Sequence, residues 1–260
     1  MTSTSHVSSR CSIPPWALAS QDYQEDPWPL EIVGTREAES RLFKLLERLE
    51  EPSARGATFH EYLMARFHLD QLSGGAPSPD TATLQHSYLR FLRGWGADSN
   101  GYSGAVLKTW AESRFGLRPT YHAGILASNE EAQAKYLRDR MRGEAETMGL
   151  GMQLDLLYTY CQYELGRRFP GERWLTLYRG THDPEEYAVD VPKGHVVLNN
   201  LSSFTSDREI AWEFGSSVWK VRIPIPKVVF FSGLLPRSIL EGEKEYLVLG
   251  GRYKVEALKW

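Results

Sequence analysis

From residue 36 onward the apolar positions recur at helical spacing. Leu42, Leu45, Leu46 and Leu49 form one stripe, offset from the first by 3, 4 and 7. Thr58-Phe59-His60-Glu61 reads as a capping box and predicts a second helix running through Leu72. Ser73-Gly74-Gly75-Ala76-Pro77-Ser78-Pro79 then interrupts the pattern as a loop. Leu84, Tyr88, Leu89, Phe91 and Leu92 mark a third helix, ended by the loop-like run Gly94-Trp95-Gly96-Ala97-Asp98-Ser99-Asn100-Gly101. Helical periodicity returns at 105–115, 129–141 and 153–165, where Leu154, Leu157, Tyr158 and Cys161 share a face.

The texture changes at Phe169-Pro170-Gly171. Segments 174–179, 195–198, 218–223, 228–231, 246–249 and 253–258 are rich in β-branched and aromatic residues and predict strands. One helix is expected among them, near 206–214, opened by Ser206-Asp207-Arg208-Glu209 with Ser206 as its cap. At the other end, Pro14-Pro15-Trp16 and Asp26-Pro27-Trp28-Pro29 resist helix, and the tryptophans are expected to pin this segment to the body. The chain therefore divides into a Pro/Ser/Trp-rich arm (1–34), a helical region (35–168) and a β-rich region (169–260). Helices first and strands afterwards give an α+β fold class.

Composition removes several function classes. The 260 residues carry a net charge of −3 with a pI near 6.2, so no basic footprint for nucleic acid or anionic membrane appears. No apolar run reaches membrane-spanning length, and Met1-Thr2-Ser3-Thr4-Ser5-His6 lacks a signal peptide's hydrophobic stretch, which points to the cytoplasm. Cys11 and Cys161 lie too far apart for a metal-ligand spacing, and no disulfide is expected between them. His60, Glu61 and His68 do not form a zinc-binding HExxH, because position 64 is Met, so no metal is predicted. Gly94, Gly96, Gly101 and Gly104 do not build a phosphate loop, since Lys108-Thr109 is not preceded by glycine.

Three segments carry candidate chemistry. In Tyr178-Arg179-Gly180-Thr181 an arginine ends an apolar strand, where five fixed donors can meet a phosphate or carboxylate; the bland alternative is a surface arginine. Ser202-Ser203-Phe204-Thr205-Ser206 places several hydroxyls before a helix, where they can cap it or steady a carboxylate on a neighbouring strand. Finally, Glu241-Gly242-Glu243-Lys244-Glu245 leads into the apolar run Tyr246-Leu247-Val248-Leu249. Alternation puts its three acids on one side, and Glu245, next to the apolar run, is the one expected to be fixed and partly desolvated. The bland reading is a solvated turn.

In this order the three segments resemble the arginine–serine–glutamate signature of mono-ADP-ribosyltransferases of the cholera-toxin and clostridial-toxin type. With Pro15-Trp16-Ala17-Leu18-Ala19-Ser20 and Phe91-Leu92-Arg93-Gly94-Trp95-Gly96, the whole chain is similar to the dinitrogenase reductase ADP-ribosyltransferases. The resemblance implies a small mixed β-sandwich core, NAD as substrate, and an arginine of dinitrogenase reductase as acceptor. It implies that Arg179, with Gly180 beside it, holds the NAD phosphates, and that the segment of Ser203, Thr205 and Ser206 steadies the catalytic Glu245. Glu243 is implied as the acid that directs the reaction to arginine. The family's Ser-Thr-Ser is interrupted here by Phe204, so either Ser203 or Ser206 can hold the first-serine role. The family also acts with a PII-class nitrogen-signalling protein, and an ADP-ribosylglycohydrolase reverses its modification. Two other readings stay open on the residues alone: a glycoside hydrolase using paired glutamates, and a non-catalytic NAD-binding regulatory protein.

Overall fold

The computed structural model describes residues 10–69, 87–146, 149–183, 187–190, 194–236 and 244–258. The predicted loop at 73–79, Leu72, Leu84 and the acids Glu241 and Glu243 lie outside these residues. In the proline-rich arm, α1 (Pro15–Leu18) forms where Pro14-Pro15-Trp16 argued against helix, α2 (Gln21–Glu25) follows it, and Asp26-Pro27-Trp28-Pro29 stays out of helix as expected. Pro15 opens α1 at its first position, where a missing N–H costs nothing. Ser20 Oγ caps α2 by accepting from Tyr23 N at 3.1 Å. The tryptophans do not pin the arm, for Trp16 is 77% exposed and Trp28 61%. Burial of Ile13, Leu18, Tyr23, Leu30 and Ile32 does so instead. Gln24 adds polar ties: its Nε2 donates to the carbonyls of Arg222 (3.1 Å) and Lys254 (3.2 Å), and its Oε1 accepts from Lys254 N at 2.7 Å.

Helices α3 (Thr35–Ala38) and α4 (Ser40–Leu46) follow, the latter burying Leu42, Phe43 and Leu46. Next, α5 (Pro52–Arg66) begins at a proline rather than at the expected box, so Thr58 is a mid-helix residue. Then come α6 (Tyr88–Ala97), α7 (Tyr102–Phe115), α8 (Glu130–Glu146) and α9 (Leu150–Arg168). The stripe Leu154, Leu157, Tyr158 and Cys161 is buried, but so are Leu156 and Tyr160, so α9 is enclosed on more than one face. Among the described residues no helix is long and apolar enough to cross a membrane.

The strands are β1 (Trp174–Thr181), β2 (Ala188–Asp190), β3 (His195–Thr205), β4 (Ser217–Pro224), β5 (Val228–Phe231) and β6 (Glu245–Leu258). A short helix, α10 (Arg208–Glu213), stands between β3 and β4. The two strands expected at 246–249 and 253–258 are one. The sheet order is β2-β3-β1-β4-β6-β5, with β3 also paired to β6, so β1, β4, β6 and β3 close on themselves. Every described pairing is antiparallel, where a mixed sandwich was expected. The β3–β6 register slips between Leu198 and Leu201. Asn200 in that slip donates from Nδ2 to the carbonyls of Lys108 (2.8 Å) and Leu117 (2.9 Å), tying the sheet to α7 and the loop that follows it. Helices and strands share a single hydrophobic core, from Ile13 through Leu157 to Tyr253.

Candidate active site

The closed pairing brings three strand positions together. Tyr178 of β1 pairs with Thr205 of β3, and Thr205 pairs with Glu245 of β6. Arg179, Ser203 and Glu245 thereby line one cleft of about 670 Å³, with Gly180, Thr205 and Trp95 also in its wall. A second recess of about 330 Å³ shares Trp95, Ser99, Arg179 and Ser203 with the first and extends toward Lys108 and Asn199.

Ser203 is the junction. Its Oγ donates to Glu245 Oε1 at 2.7 Å and accepts from Trp95 Nε1 at 2.8 Å. Its carbonyl accepts from Arg179 Nη1 at 2.7 Å. Arg179 is half-buried, its guanidinium 5.8 Å from the Tyr187 ring centre, and its shielded Nε has no hydrogen-bond partner among the described residues. A charged donor held out of water, with an N–H that no described residue takes up, is suited to an anionic oxygen. Glu245 is fixed through its backbone, which exchanges hydrogen bonds with Ser232: N to Oγ at 2.9 Å, and carbonyl from Ser232 N at 2.8 Å. The preceding Lys244 takes a left-handed φ of 46° and donates from Nζ to Asp207 Oδ2 at 2.7 Å. That bond holds the Asp207 carboxyl below its ordinary pKa.

The remaining predicted residues take different places. Thr205 lines the cleft, and its Oγ1 accepts from Asp207 N at 3.1 Å. Ser206 is exposed and hydrogen-bonded to the Tyr246 side chain, and it is not in the cleft wall. The cap of α10 is Asp207, whose Oδ1 accepts from Glu209 N at 2.9 Å, rather than Ser206. Gly180 permits a close approach: a Cβ there would stand 2.0 Å from the Ala211 carbonyl of α10. Glu243 lies outside the described residues. Trp95 is the participant that sequence reasoning missed as a site residue, although it sits in a Gly-Trp-Gly run that ends a helix. Among the described residues no cluster of three His, Cys, Asp or Glu side chains could hold a metal ion.

Arginine, hydroxyl and carboxylate on neighbouring antiparallel strands make a cleft with cationic donors on one side and a hydroxyl-held carboxylate on the other. The chain belongs to the dinitrogenase reductase ADP-ribosyltransferase family, whose sequence profile matches residues 8–257. It is 39% identical over 261 positions to the NAD(+)--dinitrogen-reductase ADP-D-ribosyltransferase of Rhodospirillum rubrum, an alignment covering 97% of this chain and 95% of that protein. No solved structure matches the chain.

Proposed function

We propose that this chain transfers ADP-ribose from NAD to an arginine of dinitrogenase reductase, releasing nicotinamide and reversibly inactivating nitrogenase. The observation that carries the reading is the Ser203 hydroxyl donating to Glu245 at 2.7 Å beside Arg179, within one cleft. Family membership and the activity in the name of the Rhodospirillum rubrum relative support NAD as the donor and dinitrogenase reductase as the protein substrate. The strands around the cleft then serve as an ADP-ribosyltransferase core.

The residues present suit that chemistry. Arg179 holds the diphosphate through donors that Ser203 leaves free. Cleavage of the bond between ribose and nicotinamide sends the electron pair to the nicotinamide nitrogen and leaves positive charge on the ribose. Glu245, aligned by Ser203, stabilises that charge and binds a ribose hydroxyl, the electrostatic role carboxylates play beside glycosidic bonds. A guanidinium nitrogen of the acceptor forms the new bond to the ribose carbon. Its proton has to leave as the bond forms, because a guanidinium with a pKa above about 12 is not deprotonated beforehand. Glu243, by its family role, takes that proton. Of the two serines left open by the sequence, Ser203 is the one supported for the motif role, because its hydroxyl reaches Glu245.

With labelled NAD and purified dinitrogenase reductase (the nitrogenase iron protein), Glu245→Gln should reduce transfer by about a thousandfold or more, the scale of losing a principal charge-stabilising group. Glu243→Gln should abolish arginine modification while sparing part of the NAD hydrolysis. Full transfer by the Glu245 variant would sink the assignment. Within this reading the helical region 35–168 recognises protein partners, the iron protein and a PII-class protein, in the cytoplasm, while 169–260 handles NAD. Hydrogen exchange with iron protein added should protect amides in 35–168, and protection confined to 169–260 would reverse that division.

A further inference from the structure

We propose that Trp95 is a positioning residue: its indole N–H fixes the Ser203 hydroxyl so that the hydroxyl proton points at Glu245. The alignment of the catalytic carboxylate is thereby set from the helical region. This rests on the roles given above to Ser203 and Glu245. A serine hydroxyl carries one proton and two lone pairs, and it rotates unless its neighbours choose for it. An indole N–H can only donate. At 2.8 Å it occupies a lone pair of Ser203 Oγ, which leaves the proton to Glu245 Oε1 at 2.7 Å. Donation into the hydroxyl also strengthens the hydrogen bond the hydroxyl makes onward.

The surroundings of Trp95 hold this aim. Its side chain is buried at 4% exposure, and Lys108 Nζ lies 5.9 Å from the ring centre. Lys108 is itself tied to Asn100 Oδ1 at 3.2 Å and to the Tyr121 carbonyl at 3.0 Å. Gly94 lets α6 close on α7, since a Cβ there would stand 2.1 Å from Ser103 Oγ. At Gly96 a Cβ would come 3.8 Å from Glu245 Oε2, so the helix end passes near the second carboxylate oxygen. Gly94-Trp95-Gly96 thus combines close helix packing with a directed donor near the carboxylate.

Trp95→Phe keeps most of the ring volume and removes the N–H. In steady-state assays of nicotinamide release, kcat should fall about tenfold, the scale of one well-directed hydrogen bond, while KM for NAD stays within about twofold. Combined with Ser203→Ala, it should add no further loss, because the indole acts only through that hydroxyl. If Trp95→Phe folds poorly, replacing Trp95 with benzothienylalanine keeps the shape, removes the donor and should give the same loss of kcat. Wild-type kcat in the folded variants would overturn the proposal, as would an undiminished effect of Trp95→Phe in the Ser203→Ala background. Wild-type rates in Ser203→Ala alone would overturn the underlying reading of the site, and this proposal with it.

Discussion

Ser203 is gripped at both ends: Arg179 holds its carbonyl, while Trp95 and Glu245 share its hydroxyl. Ser203→Ala should therefore lower the rate of nicotinamide release by about ten- to a hundredfold, since it unseats the carboxylate without removing it. Ser206→Ala should leave that rate within about twofold, because its partner is Tyr246 outside the cleft. Both are read in the same assay of nicotinamide release, and equal losses in the two would contradict this placement. The sequence marked Arg179, Ser203 and Glu245 as candidates, which the fold brings to one cleft, because each sits in a local pattern, a strand end or a hydroxyl run, and the three fall in a telling order. It left the motif role open between Ser203 and Ser206, since Phe204 interrupts the run of hydroxyls. It could not show Trp95 as a partner, because the indole meets Ser203 across 108 positions of chain.

Among the elements, β1 and α10 approach as closely as Gly180 allows. Gly180→Ala would drive a Cβ to 2.0 Å from the Ala211 carbonyl, so it should cost about 1–3 kcal/mol and lower the melting temperature by several degrees. Gly166→Ala is the contrast. Nothing lies within 4 Å of a Cβ at this helical position in α9, so it should raise stability by up to about 1 kcal/mol. Calorimetry on both variants checks the pair, and matching shifts would refute the packing argument. Helical periodicity identified the buried stripe of α9 but not the start of α5. Thr-x-x-Glu looks the same at a helix cap and inside a helix, and here Pro52 had already begun the turn. The strand break expected between Leu249 and Tyr253 reflected Gly250 and Gly251, which β6 accommodates where β3 slips register.

At the scale of the molecule, two lysines among the described residues are buried, and burial pulls each down to about 7: Lys108, and Lys227 with its Nζ on the Gly250 carbonyl at 3.0 Å. In the unfolded chain a lysine keeps its proton to about pH 10.4, so between pH 7 and 9 the unfolded state binds more protons than the folded one. Stability should therefore rise with pH across that window, by up to about 1.4 kcal/mol per pH unit for each lysine. Above about pH 10 the sign reverses, as unfolded tyrosines ionise while buried Tyr88, Tyr158 and Tyr253 hold their protons. Urea unfolding at pH 7 and pH 9 measures the first effect, and equal midpoints would refute it. The closure of the sheet by β6 has a consequence for the timing of manufacture. That strand joins β3, β4 and β5, and its first residue, Glu245, comes 42 positions after Ser203. A nascent chain that has exposed Arg179 and Ser203 has neither the strand that closes its sheet nor the acid proposed to carry its chemistry. Chains halted before Glu245 should release no nicotinamide, so a half-made copy on the ribosome cannot act on its target.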